Sequence, residues 1–93
     1  MKMSGNIPIP ASTARKLALS AFNGAEKTRN KGYEATANKI ESSAESILDV
    51  ASEDKGSQFV SVNAYELSRI ATYGSGKPST IARVFLEQYG VWN

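Results

Sequence analysis

The 93-residue chain has no cysteine and no histidine. A thiolate nucleophile, a Ser/His or Cys/His relay, a zinc site of Cys/His ligands and an iron–sulfur cluster all need side chains it lacks. Imidazole-based pH switching near neutrality is excluded with them. Without cysteine there is no disulfide, so packing alone must hold a small core, and packing against a second copy is one way to enlarge it. Long apolar runs are missing too. No stretch reaches the length of a membrane span, and Met1–Pro10 has one lysine but no continuous apolar segment after it, unlike a secretory signal. These absences lead us to expect a soluble, cytoplasmic protein with no membrane partner. The carboxylates Glu26, Glu34, Glu41, Glu45, Asp49, Glu53, Asp54, Glu66 and Glu87 are scattered along the chain without acid/base or metal-binding spacing. Glu34, Glu41 and Glu45 share a helical face, which reads as a solvated stripe rather than a cation site. The expectation is a protein with no enzymatic activity, no metal and no cofactor.

Eleven Lys and Arg against nine Asp and Glu leave a formal charge of +2. The distribution says more than the total. Lys27, Arg29 and Lys31 form a basic cluster, while Glu41 to Asp54 is acidic, so an anionic partner meets an uneven surface.

The periodicity predicts an all-α fold: one domain over residues 1–93, a small bundle of about four helices with an extended N-terminal arm. Pro8 and Pro10 forbid a helix interior and hold residues 1–11 extended. Ser12 or Thr13 is placed to cap a first helix, in which Ala14, Leu17, Ala18, Ala21 and Phe22 share one face. Two glycines between Asn23 and Gly32 weaken the helix. Residues 12–52 therefore form either a helical pair or one long kinked helix, with a break near Gly32 favoured by the change of register. Tyr33, Ala37, Ile40, Ala44, Ile47 and Ala51 then follow a heptad-like seam, with Ser42, Ser43 and Ser46 on the opposite side. Packing against other helices or against a symmetry mate explains that seam, and Tyr33, Ala37, Ile40, Ala44 and Ile47, with Trp92 at the chain end, are the candidate homodimer interface.

After a charged turn at Ser52–Ser57, Gln58–Val62 reads as an extended connector whose Phe59 plugs the core, since no partner strand is evident. Asn63, with Glu66 three residues on, marks the start of a helix carrying Leu67, Ile70 and Ala71 on one face. Gly74 ends it. Pro78 suits the first turn of the next helix, whose buried face is expected to be Ile81, Val84 and Phe85, and Gly90 is placed to cap its end.

Ile70-Ala71, then Tyr73, then Thr80-Ile81-Ala82-Arg83-Val84 stand at the separation found in the helix-turn-helix of LacI-type bacterial repressors, which residues 67–85 resemble. The family's Ala-Gly-Val-Ser turn is replaced by Gly74-Ser75-Gly76-Lys77, so the apolar residue that locks that turn has no counterpart. In the family the second helix enters the major groove. The resemblance thus implies a C-terminal helix-turn-helix pair over residues 63–90, with duplex DNA as partner and Lys77, Ser79, Thr80 and Arg83 as contacts. Arg69 is a supporting phosphate candidate.

A second reading needs no motif. A small helical protein with modest charge also suits a phage- or plasmid-type accessory factor that binds a larger host protein and inhibits or recruits it, as a homo-oligomer. Gly74-Ser75-Gly76-Lys77 followed by Ser79-Thr80 is phosphate-friendly at most. It lacks the leading glycine and the lysine-to-Ser/Thr adjacency of a nucleotide-binding loop.

Overall fold

Ile7 and Ile9 alternate with Pro8 and Pro10, and Val60 and Val62 alternate with Phe59, Ser61 and Asn63, so each segment is an extended run with one apolar face. In the computed structural model, which describes residues 5–53 and 58–91, these faces are joined. Strand β1 (Asn6–Pro10) pairs antiparallel with β2 (Phe59–Asn63), Ile7 opposite Val62 and Ile9 opposite Val60, and all four side chains are buried. The expectation of a purely helical fold is therefore corrected. Residues 6–10 are extended as expected but paired, and residues 59–63 are their partner rather than a lone connector. Phe59, expected in the core, faces outward and is 56% exposed, because the two-residue strand period that buries Val60 and Val62 turns it away.

Each strand runs without a linker into a helix. Helix α1 (Ala11–Asn30) follows β1, and α3 (Ala64–Tyr73) follows β2. The first amide of each helix is bonded across the ribbon, Ala11 N–H to Gln58 O at 2.8 Å and Ala64 N–H to Gly5 O at 3.0 Å. This is why α1 starts at Ala11 and not at Ser12 or Thr13. One of its orphan amides already has a strand carbonyl, and no side chain caps it. Helix α2 (Glu34–Glu53) follows α1, and α4 (Lys77–Gln88) follows α3, so the order strand, helix, helix occurs twice.

Residues 12–52 form a helical pair. The break falls at Lys31–Tyr33, where Gly32 adopts a φ of +98°, a conformation that disfavours other residues. The turn is tied by Tyr33 N–H to Thr28 O at 3.2 Å. The small side chains of α1 (Ala14, Ala18, Ala21, Ala25) are buried and bring it close to α2, whose Ala37, Ile40, Ala44, Ile47 and Ala51 are buried in turn. The heptad-like seam is thus consumed inside the chain. Ala37, Ile40, Ala44 and Ile47 leave the candidate homodimer interface, and Tyr33 alone of that set within the described residues stays exposed. Trp92 lies outside the described residues. Ser43, expected on the surface, is fully buried, and its hydroxyl donates to the Glu66 carboxylate at 2.8 Å, joining α2 to α3.

The basic cluster is split. The Arg29 guanidinium forms a two-pronged pair with Glu41 at 2.8 and 2.9 Å and also donates to Asn38 Oδ1 at 2.9 Å. This clasp bridges α1 to α2 near their turn, and at the far end Arg15 donates to Ala51 O at 3.3 Å. The hydrogen bond from Arg29 holds the Glu41 carboxyl below its ordinary value of 4.5. A carboxyl lowered on folding stabilises the fold above its unfolded value, and the contribution disappears as pH falls through the folded value. Glu41→Gln should therefore lose stability relative to the native chain at neutral pH, with the gap closing as pH drops below about 4.5. Added salt should narrow it as well, since both side chains are about a third exposed. Urea unfolding across pH and ionic strength checks this.

Candidate nucleic-acid interface

The segment that resembles a helix-turn-helix is built from Asn63 onward. The Asn63 side chain accepts from Tyr65 N–H at 2.8 Å and from Glu66 N–H at 3.4 Å, and so caps α3 as its type and position imply. The Glu66 carboxylate accepts from Ser43. Gly74 closes the helix, its N–H bonded to Ile70 O at 2.9 Å. A side chain there would put its Cβ 2.6 Å from that same carbonyl oxygen, so the close turn requires glycine. Gly76, at φ +73°, reverses the chain and precedes α4. Three residues, Gly74, Ser75 and Gly76, thus separate α3 from α4.

Helix α4 buries a face different from the one its strongest apolar residues imply. Pro78, Ser79, Ala82 and Leu86 are buried and Ile81 and Phe85 are half-buried. Val84, expected in the core, is 52% exposed. The reason is the crossing over α3. Ser79, expected to face DNA, is instead turned inward, and its hydroxyl donates to Ala71 O at 2.9 Å. That buried bond ties the first turn of α4 to α3 and removes Ser79 from the accessible contacts. Lys77, Thr80 and Arg83 are all exposed. At 100° per residue Lys77 and Arg83 stand roughly 120° apart around α4, with Thr80 between them. Thr80 Oγ1 lies 3.1 Å from Gly76 O, within the same turn. Arg69 is half-buried with its guanidinium carbon 5.6 Å from the centre of the Tyr65 ring, and Lys39 of α2 sits 4.6 Å over Tyr73 at the end of α3.

Sequence reasoning missed the second wall of this surface. Ser20, Asn23, Gly24 and Lys27 of α1 face Ser75, Gly76, Lys77 and Pro78 across an open groove of about 320 Å³. Among the described residues two lysines line it and no carboxylate does, although Glu26 borders Lys27 in the adjoining hollow with Asn23 and Asn30. The signal was present as the polar stripe Ser20, Asn23 and Lys27 opposite the alanine face of α1. Nothing local connects that stripe to residue 77. Among the described residues no cluster of acidic side chains suited to a metal ion is found, and no helix is long and apolar enough to cross a membrane.

No protein family, curated protein or solved structure matches the chain. What this surface can bind therefore follows from its own geometry and charge.

Loss of the Ser79 hydroxyl leaves the buried Ala71 carbonyl without that donor. Ser79→Ala should cost about 1–3 kcal/mol of stability. Gly74→Ala should cost about 1–3 kcal/mol by forcing the turn open. Urea unfolding monitored by circular dichroism measures both. A Ser79→Ala protein as stable as the native chain would show that the bond does not clamp α4 to α3.

Proposed function

We propose that the chain is a non-catalytic DNA-binding regulator in which α3, the Gly74–Gly76 turn and α4 act as a helix-turn-helix, with α4 as the helix that enters the major groove. The observation that carries this reading is the joint exposure of Lys77, Thr80 and Arg83 on the helix after a three-residue turn. Arg83 is suited to a guanine edge or a phosphate, Thr80 to a phosphate oxygen, and Lys77 to backbone attraction. Lys27, across the groove from Lys77, adds a second cation for the flanking phosphates. The Ser79 to Ala71 bond supports the reading in another way, since it restrains the two helices where the repressor family uses an apolar turn residue. Arg69, stacked at Tyr65, is a peripheral phosphate contact.

The exposure of Val84 in the middle of the same face favours a second reading, a protein partner seated on α4. One measurement separates the two. Binding to mixed duplex DNA should weaken steeply with salt. The triple variant Lys27→Ala, Lys77→Ala, Arg83→Ala should bind weakly, and its log–log salt slope should be shallower by roughly 0.9 for each phosphate no longer neutralised. Absence of DNA binding by the native chain at low salt ends the DNA reading and leaves the protein partner.

A further inference from the structure

The two edges of the β1–β2 ribbon differ chemically. The bonds Ala11 N–H to Gln58 O and Ala64 N–H to Gly5 O bracket the ribbon, and bonded and non-bonded pairs alternate along an antiparallel ladder. Ile7 with Val62 and Ile9 with Val60 are therefore the bonded pairs, while Pro8 with Ser61 and Pro10 with Phe59 are non-bonded. In a non-bonded pair the main-chain groups point away from the partner strand. On β1 those positions are Asn6, Pro8 and Pro10, and the two prolines have no N–H, so most of the outer edge is blunted. On β2 they are Phe59, Ser61 and Asn63, and among the described residues neither main-chain group of Ser61 has a partner outside the ribbon. Edge strands are ordinarily guarded by charge, proline or a bulge. The segment Gln58–Ala64 has no ionisable side chain and no proline.

We propose that β2 is a dimerisation edge, at which two copies of the chain pair their β2 strands antiparallel about a two-fold axis through Ser61. The result is a four-stranded sheet in the order β1-β2-β2-β1. The occupant is a second copy because the edge is complementary to itself. The register centred on Ser61 sets Ser61 against the partner's Ser61 and Phe59 against the partner's Asn63, whose N–H faces the edge while its carbonyl begins α3. It sets Val60 against the partner's Val62 on the core side. No like charges meet, which is the condition for close cross-strand pairs. Beside this edge a crevice of about 110 Å³ lies between β2 and α2, with Ile47, Val50 and Val62 as its apolar walls. The partner's Val60 comes next to Val62 and extends that apolar surface. The pairing is isologous, as two-fold dimers require, and it does not rest on the DNA reading.

Ser61 is exposed and its N–H is not used by β1, so it is changed without disturbing the ribbon. Sedimentation equilibrium from micromolar to millimolar concentration should show the native chain approaching twice its monomer mass. Ser61→Lys and Ser61→Glu each place like charges across the axis and should raise the dimer dissociation constant about fivefold at low salt. An equimolar mixture of the two should recover the native value or better, and circular dichroism confirms that both remain folded. A native chain of monomer mass throughout the range overturns the proposal, including when it captures an extended foreign peptide instead. So does a dimer indifferent to both charges, or one that the mixture does not restore.

Discussion

The pairing of Asn6–Pro10 with Phe59–Asn63 is the constraint on which the rest of the architecture depends. It joins segments far apart in the chain, and each strand passes directly into a helix whose first amide is bonded to the opposite strand. The starts of α1 and α3 are thereby held at defined places relative to each other. Once they are held, α2 returns along α1, α4 returns over α3, and the buried Ile7, Ile9, Val60 and Val62 close the core above the helices. A two-stranded ribbon is marginal alone in water and gains its stability from such packing. Ribbon and helices therefore stabilise one another.

The polar bonds inside this frame fall where two elements meet. Ser43 to Glu66 joins α2 to α3, Ser79 to Ala71 joins α4 to α3, and Arg29 to Glu41 joins α1 to α2. Every buried side-chain polar atom among the described residues has a partner, so the core holds hydroxyls without leaving desolvated groups unpaired. This arrangement bears on the candidate interface. Ser79 is used to hold α4 in place, which leaves Lys77, Thr80 and Arg83 to face outward, and the α1 stripe brings Lys27 to the groove that Lys77 lines. In the DNA-binding reading Lys77 and Arg83 act together through the helix they share, which follows a turn with glycines at the two positions where a side chain would collide or demand a left-handed backbone.

The helices were legible because each has a periodic apolar face of its own. The cap at Asn63, the stop at Gly74, the break near Gly32 and the place of Pro78 in the first turn of α4 are local chemistry, and all were readable from neighbours in the chain. The seam Ala37, Ile40, Ala44 and Ile47 was equally plain as an apolar stripe, but a stripe does not state what it packs against, and here the answer is α1 and α3 rather than another copy. Val84 and Ser79 differ from expectation for a related reason. Residue type predicts valine inward and serine outward, whereas the crossing of α4 over α3 leaves room beneath only for small side chains such as Ala82 and Ser79 and seats Leu86 beyond them.

What the amino-acid sequence determined by itself is therefore local: where helices begin and end, which residues must be extended, and which chemistry is excluded by having no cysteine and no histidine. What the tertiary structure alone decided is pairing across distance. The partner of Ile7 and Ile9, the burial of Ser43, the division of the basic cluster between Glu41 and the α4 groove, and the meeting of Lys27 with Lys77 depend on elements far apart in the chain. Propensity and periodicity act over a few residues, while contacts between distant segments form only when the whole core settles which faces meet.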